Sequence, residues 1–256
     1  MQNAKIIIFL YFVGMVLTIK NKCAILKITF WKRRIPMKNT RDVGNRLAPF
    51  FKAHGFKRKS NKFYKIQNNI ILCFGLDRPG GLYFLSYILP LYIPTSIPHI
   101  TYGGRFDDFE PFPVKNFSFD WDEPSKLEEF VERVMECCEK YYFPLYDIIS
   151  TPEGLMLFLN KGYKFVKTFF GNLPRMYFYE LRIYTNFILS RYDDMLADIP
   201  LMYKDIDSWP ISEENKINAK KEYEVLADLR FASDKEKEEF IQNTIEQSMI
   251  ACKFKY

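Results

Sequence analysis

One stretch of this sequence could place a general base beside carboxylates. His99 lies in a proline-rich segment, with Arg105, Asp107, Asp108 and Glu110 shortly after it. A histidine near carboxylates can perform acid–base catalysis, and grouped carboxylates can bind a metal ion. Because no serine or cysteine nucleophile motif accompanies them, the five residues favour a binding loop over a catalytic centre. We predict them as binding residues, with no catalytic residue, no metal site and no cofactor.

The second histidine and the cysteines indicate structural roles. His54 falls at the end of a predicted helix, where a histidine complements the helix dipole. The cysteines are odd in number and lack the CxxC or Cys/His spacing of a zinc site or a redox motif. Neither a metal site nor a disulfide framework is therefore predicted, and Cys137 and Cys138 are expected to be small buried hydrophobic residues.

Phosphate binding is the chemistry suggested by a basic stretch between His54 and Leu76. Its cations are Lys57, Arg58, Lys59, Lys62 and Lys65. Phe63 and Tyr64 lie among them, as stacking platforms for bases would. A sheet edge whose lysines lie in water is the alternative, and the apolar strand that follows favours it. We predict Lys57, Arg58 and Lys62 as residues of a partner-binding edge.

The charge of the whole chain is dominated by its first 36 residues. The net charge is +6, with a pI near 8.9. Residues 1–36 contain 7 of the 37 basic residues and no acidic residue, so 30 basic residues face 31 acidic ones in the remainder. A near-neutral body argues against nucleic acid as the partner, because phosphate binding requires a local excess of lysine and arginine.

The basic leader, residues 1–36, has two interpretations. Its apolar run, residues 6–19, is shorter than the roughly 17–25 residues of a spanning helix, and no small-x-small cleavage site follows it. The leader is either a membrane-associated segment, whose cations would keep the body in the cytoplasm, or upstream sequence translated ahead of a start at Met37. Both interpretations predict a cytoplasmic body that contacts a membrane only through residues 1–36.

The elements that would position these residues begin with a helix and a sheet. We predict a helix over residues 40–53 that Gly55 closes in a left-handed conformation. Period-2 alternation and turn residues predict antiparallel strands, which cover residues 56–59, 62–66, 70–76, 82–93 and 99–102. The strand over 82–93 is apolar on both faces, so both faces should be covered. The breaker-rich segment 94–113 is predicted to be a long functional loop.

The rest of the chain is predicted to be helical. Helical spacing and the capping residues Thr151, Ser212 and Ser233 indicate helices near residues 122–143, 152–161, 174–198, 212–231 and 234–252. Prolines at positions 144 and 200 are expected to end the first and the third of them. The predicted fold class is α+β, an antiparallel sheet flanked by helices with an all-helical C-terminal layer. The predicted units are the leader at 1–36, an α+β domain at 37–148 and a helical region at 149–256.

Two segments resemble a family of mostly bacterial proteins known as domain of unknown function 4304. The segment RLAPFFKAHGFKRKSNKFYKIQNNIILCFGLD is similar to the family's opening helix and strands. The segment FDWDEPSKLEEFVERVMECCEKYYFP is similar to its closing helix. The likeness covers roughly residues 40–148. It implies an α+β domain without established enzymatic activity, and proteins of this kind are associated with binding or immunity modules in bacterial conflict systems.

These observations together predict a cytoplasmic module that binds a protein partner through the loop 94–113 and nearby charged edges. Two alternatives remain open. One is an enzyme with its site at His99 and the carboxylates of Asp107, Asp108 and Glu110. The other is an RNA-binding module that uses the basic stretch at 57–65.

Overall fold

The computed structural model describes residues 38–77, 82–94, 102–106, 118–119, 126–171 and 173–253. Over these ranges one helix precedes an antiparallel sheet, and the other helices follow the sheet. The predicted fold class is therefore confirmed: the protein is α+β, with helices flanking the sheet and an all-helical C-terminal region. The described residues from Lys38 onward belong to one compact unit.

Helix α1 (Lys38–Ala53) begins this unit. Its apolar residues recur with helical spacing, and Val43, Leu47 and Phe51 are fully buried. Gly55 follows with a φ of 81°, so the prediction that it closes the helix in a left-handed conformation is confirmed.

The first five strands of the sheet form a meander, in which each strand pairs with the next one along the chain. Strands β1 to β5 are antiparallel neighbours in sequence order, and β6 pairs with the end of β4 that β5 leaves free. The strands are β1 (Lys57–Lys59), β2 (Lys62–Gln67), β3 (Ile70–Asp77), β4 (Leu82–Pro90), β5 (Tyr102–Arg105) and β6 (Ser118–Phe119). The strand predicted over residues 99–102 begins at Tyr102 in the described ranges.

Two-residue turns set the register of the first three strands. Asn68 and Asn69, between β2 and β3, have φ values of 46° and 62°, and Ser60 between β1 and β2 has a φ of 55°. Asparagine tolerates this left-handed region better than most residues, and such turns match the twist of a hairpin. The turn residues read from the sequence therefore mark the hairpins correctly.

One face of the sheet packs against α1 through a set of aromatic rings. The ring of Phe51 lies 4.4 Å from Phe63, 5.0 Å from Phe74 and 5.9 Å from Phe84, centroid to centroid. These three residues come from β2, β3 and β4 and point to the same face because their positions are paired or alternate along the strands. One helical side chain thus ties three strands together.

The opposite face is buried as well. Cys73, Leu85, Tyr87 and Leu89 point to it, and none is more than 8% exposed. Ile93 lies just beyond β4, and its carbonyl oxygen accepts a hydrogen bond of 3.1 Å from the hydroxyl of Ser248, which belongs to the last described helix. The prediction that both faces of this strand belong to the core is confirmed.

The helix predicted to stop before Pro144 does not stop there. Helix α2 (Lys126–Cys137) runs into a π-helical turn (Cys138–Tyr142) and then into α3 (Phe143–Ile149). In the wider turn the Phe143 N–H donates to the Cys138 carbonyl, five residues back. Pro144 is the second residue of α3, where a missing N–H costs little. The predicted end was wrong because a proline at the start of a helix is tolerated.

The C-terminal helices confirm some predicted bounds and correct others. The region predicted as one helix over 174–198 is two helices, separated at Ser190, which has a φ of 57°. The second of them continues through Pro200. A helix between two glycines, Gly162 and Gly171, was not predicted. The elements are α4 (Pro152–Leu159), α5 (Tyr163–Phe170), α6 (Arg175–Ile188), α7 (Tyr192–Asp207), α8 (Glu213–Leu229) and α9 (Asp234–Cys252).

Three of these helices begin at the capping residues that the sequence indicated. The side chain of Thr151 accepts from the Gly154 N–H, and that of Ser212 accepts from the Asn215 N–H. Ser233 and Glu236 form a reciprocal capping box at the start of α9. Within the part of the chain that the structure describes, no helix is both long enough and apolar enough to cross a bilayer.

Candidate functional site

The predicted basic edge is divided between the two faces of the sheet. In the β1–β2 ladder Arg58 is paired with Phe63, and therefore lies on the face that α1 covers. Lys57, Lys59 and Lys62 lie on the opposite face by the same register. The five cations of this stretch thus do not form one continuous basic surface, which is what a nucleic-acid backbone would need.

Arg58 and Lys62 also make contacts within the protein. The Arg58 guanidinium donates to the Asn45 side chain at 2.8 Å and to the Ser60 carbonyl at 3.1 Å, which joins β1 to α1. Burial, and secondarily the charge of Arg41, lower the pKa of Arg58. The Lys62 ammonium lies 5.7 Å from the centre of the Tyr87 ring. Lys57 is exposed on the short edge strand β1.

Of the predicted binding residues in the loop 94–113, the structure describes only Arg105. Its guanidinium lies 3.9 Å from the centre of the Tyr83 ring, a cation–π contact between neighbouring strands. His99, Asp107, Asp108 and Glu110 lie outside the described residues. Their grouping with Arg105 in one binding loop stays a prediction.

His54 has the structural surroundings expected of a residue at a helix end. Its Nδ1 is 2.9 Å from the Phe50 carbonyl oxygen, one turn back in α1. Its ring packs 4.3 Å from the ring of Phe143, centroid to centroid. Both contacts orient the imidazole toward the helix end and an aromatic neighbour, and no described carboxylate contacts it.

The four described cysteines are free thiols, and all of them are buried. Burial raises the pKa of Cys73 to about 12 and also raises the pKa values of Cys137 and Cys138. A thiol held in its neutral form is a poor nucleophile and a poor metal ligand. The prediction that Cys137 and Cys138 are buried hydrophobic residues is confirmed. Among the described residues, no group of three or more His, Cys, Asp or Glu side chains could hold a metal ion.

A carboxyl group held by tyrosines lies where β5 meets the helical region. The Tyr102 hydroxyl of β5 donates to Glu180 Oε2 of α6 at 2.5 Å, and the Tyr223 hydroxyl of α8 donates to Oε1 at 3.4 Å. Burial raises the pKa of Glu180 to about 7, and the nearby charge of Glu222 contributes in the same direction. Glu180 therefore changes its charge near neutral pH.

Glu222 forms the second half of this network. Its Oε1 accepts from the Tyr184 hydroxyl at 2.5 Å, and burial raises its pKa as well. Two coupled carboxyl groups can hold or release a proton between them. Their donors Tyr102, Tyr184 and Tyr223 are buried and the two glutamates are half-buried, so the network joins β5, α6 and α8 below the surface.

The sequence contained a partial signal for this network. Glu180 is the only acidic residue of α6, in a segment that is otherwise uncharged or basic. A lone acid on a helix that must be buried requires a partner. Its principal donor, Tyr102, lies 78 positions away on a strand, which periodicity within the helix cannot reveal.

A second polar contact fixes α6 against α7. The Arg182 guanidinium donates to both carboxyl oxygens of Asp198, at 3.1 and 2.9 Å, and to the Asn160 side chain at 2.9 Å. Asn186 also donates to Asp198. Burial raises the pKa of Asp198, although the charge of Arg182 opposes this shift. The Asp198 carboxylate is thus satisfied internally, as in a structural ion pair, whereas the buried Oδ1 of Asn186 accepts no hydrogen bond from the described residues.

A group of exposed apolar and basic residues on α4, α5 and the turn between them is a further candidate site, which we call the α4–α5 surface. Its residues are Leu157, Lys161, Lys164, Phe165 and Lys167. All five side chains are exposed, with Leu157 at 65% and Phe165 at 41% of their full accessibility. On α5 the order around the helix is Lys167, Lys164, Phe165, because residues three apart and one apart lie 60° and 100° from each other. The exposed face of α5 is therefore basic and partly apolar, and Leu157 and Lys161 are exposed on the segment that precedes it.

The sequence analysis missed this surface because it missed α5. A signal was nevertheless present, since residues 154–179 contain three lysines and one arginine but no aspartate or glutamate. In a chain with 31 acidic residues, an acid-free segment of this length is a charge pattern in its own right.

Comparison of the chain with protein-family models, with curated proteins and with solved structures finds no match. The resemblance to domain of unknown function 4304 therefore stays a prediction.

Proposed function

We propose that this protein is a protein-binding module whose interaction surface lies on its helical C-terminal region. One observation carries the proposal. All nine large hydrophobic residues that are exposed in the described chain lie between Ile148 and Ile250, and none lies in the sheet. Single exposed apolar side chains are ordinary, but Leu157 and Phe165 lie on consecutive helices in a segment that also exposes three lysines and has no acidic residue from 154 to 179, a combination that favours a binding site.

The titratable groups support binding over catalysis. The described cysteines are buried thiols, His54 closes a helix, and the coupled carboxyl groups of Glu180 and Glu222 are bonded to buried tyrosines. A reacting side chain must reach both its substrate and its proton acceptor, so these arrangements favour structural roles. The loop 94–113 stays the second candidate surface, through His99, Arg105 and the carboxylates that follow.

We place the module in the cytoplasm. Its four described cysteines are buried, and none of them forms a disulfide. Free thiols in a folded protein are typical of a reducing compartment. A membrane would be contacted only through residues 1–36.

Purification of the tagged full chain at low salt, followed by identification of the copurifying chains, tests the proposal. We expect one stoichiometric protein that, once purified separately, binds the full chain in calorimetry. Capture of RNA with an affinity that falls steeply with salt would instead support the RNA-binding alternative. Absence of any stoichiometric protein would contradict the proposal.

The enzyme alternative has its own test in His99→Ala. A binding module should keep its partner affinity within a few-fold after this change, because one loop side chain contributes little outside a hot spot. An enzyme that uses His99 as its acid or base would lose turnover by about 10²–10⁴-fold.

A further inference from the structure

We infer that the α4–α5 surface binds an acidic segment of a partner protein, with an apolar side chain of that segment seated on Phe165 and Leu157. The inference rests on the proposed function and names the chemistry of the partner and the surface that would receive it.

The apolar half of the surface is rigidly supported. The Phe165 ring lies 5.8 Å from Phe158 and 5.2 Å from Phe169, centroid to centroid. Phe158 belongs to the buried core, and Leu157 precedes it on α4. A side chain held by core neighbours loses little conformational entropy when a partner covers it, which is a property of effective anchor residues.

The basic half of the surface lacks internal counter-ions. Within the described chain, Lys161, Lys164 and Lys167 make no ion pair or hydrogen bond through their ammonium groups. Two of the three lysines of α8 contrast with them. Lys216 pairs with Glu213 at 2.8 Å, and Lys220 pairs with Asp207 of α7 at 2.6 Å.

The contrast indicates what the partner must supply. Acids placed beside the α8 lysines neutralise them, whereas residues 154–179 provide no acid at all. A segment with two or three carboxylates would complement the three free ammonium groups and increase the rate of association. The exposed apolar area of Phe165, beside Lys164, would then be covered by an apolar residue of the same segment.

A protein segment fits this surface better than a phosphate-rich polymer or a membrane. Three lysines could neutralise only about three phosphates, and each contributes about 1 kcal/mol at an anionic membrane. The chain beyond residue 36 has 30 basic and 31 acidic residues, so it adds no long-range attraction to a polyanion. A short acidic segment needs no such field.

Fluorescence anisotropy with the full chain tests the inference. The probe is a short fluorescein-labelled peptide in which glutamates flank one leucine and one phenylalanine, and a control peptide has glutamine at each glutamate. We expect the glutamate peptide to bind, and the double variant Lys164→Glu/Lys167→Glu to bind it at least about tenfold more weakly. Lys204→Glu is the matched control, because Lys204 is an exposed lysine of α7 without an ion pair among the described residues. It should bind within about twofold of the original chain.

Each other result overturns the inference. The inference is wrong if the glutamate peptide does not bind, if it binds no better than the glutamine peptide, or if it binds the Lys164→Glu/Lys167→Glu variant as well as the original chain. Stronger binding of phosphatidylserine vesicles or of a polyuridine oligonucleotide, with the same dependence on Lys164 and Lys167, would assign the surface to lipid or RNA. Both variants alter exposed side chains only. An unchanged melting temperature for each confirms that a difference in peptide affinity comes from the substituted surface and not from unfolding.

The same variants separate this inference from the proposed function. If the natural partner binds the original chain and the Lys164→Glu/Lys167→Glu variant equally well, the protein remains a binding module and the α4–α5 surface is wrong. If no protein partner is captured at all, the proposed function fails first.

Discussion

The sheet region and the helical region distribute their polar and apolar side chains in opposite ways. In β3 every residue from Ile70 to Leu76 is buried, and Ser86 is the only non-aromatic polar side chain that is buried among the described sheet residues. The region after residue 149 holds the other six buried polar side chains of the described chain. Every exposed large hydrophobic residue lies there too, apart from Ile148 at the end of α3.

The difference separates stability from recognition. Apolar burial on both sheet faces is the main source of folding free energy, because it removes large side chains from water. The helical region also buries apolar side chains, and it adds specific polar bonds, such as those of Glu180 and Asp198, that fix how its helices meet. A region arranged in this way can leave apolar side chains in solvent without loss of its core.

The largest expected effect would come from the sheet. Phe84→Ala should destabilise the protein by about 3–5 kcal/mol and Leu85→Ala by about 2–5 kcal/mol, because each removes a large side chain from an opposite face of β4. Leu157→Ala in the helical region should cost less than about 0.5 kcal/mol, because Leu157 is exposed. Urea denaturation measures all three. A small effect at either strand position would show that one sheet face is not core, and the comparison would fail.

The buried hydroxyl bond at the centre of the sheet should have a smaller effect. The Tyr146 hydroxyl lies 2.8 Å from that of Ser86 and donates to the Cys73 carbonyl at 3.0 Å. Tyr146→Phe would leave the Ser86 hydroxyl buried without this partner, at a cost of about 1–3 kcal/mol. The double variant Tyr146→Phe/Ser86→Ala should recover part of that loss. A double variant that is no more stable than Tyr146→Phe would show that the cost arises elsewhere.

The carboxyl network of the helical region predicts a pH dependence. The pKa of Glu180 is raised from its ordinary value of 4.5 to about 7, so the folded state binds a proton that the unfolded state has released. This contribution to stability is fully present below pH 4.5 and is lost as the pH rises through about 7.

Glu180→Gln should therefore increase stability at pH 8 by about 1–3 kcal/mol and should change it little at pH 5, because the amide oxygen can still accept from Tyr102. Thermal unfolding at both pH values measures the difference. The control is Glu246→Gln on the exposed side of α9. An equal change at both pH values would show that Glu180 stays charged in the folded protein.

The smallest effect is expected at a helix cap. Ser233→Ala removes the side chain that accepts from the Glu236 N–H at the start of α9, at a cost of about 1 kcal/mol. Ser212→Ala at the start of α8 lacks the reciprocal glutamate contact and should cost less. Circular dichroism during denaturation measures both. Equal losses would show that the capping box adds nothing to the single cap.

Local patterns were enough to predict most of the elements, since a hairpin turn or a helix cap depends on residues that are close together in the chain. Asn68 and Asn69 marked a turn, Ser212 and Ser233 marked helix starts, and alternation in 82–93 indicated a strand buried on both faces. The predicted helix bounds were wrong where one local sequence signal is compatible with two backbone structures. Pro144 can end a helix or begin one, and the π-helical turn before it decided the matter.

The sequence by itself determined the class of fold, the buried character of the cysteines and the near-neutral charge of the chain beyond its leader, because composition and periodicity carry that information. Only the tertiary structure placed Tyr102 of β5 against Glu180 of α6, and divided the basic stretch between two sheet faces. It also packed the ring of Phe165 against Phe158 of the preceding helix. These three arrangements depend on which distant segments pack together, and the free energy of that packing is a property of the whole core.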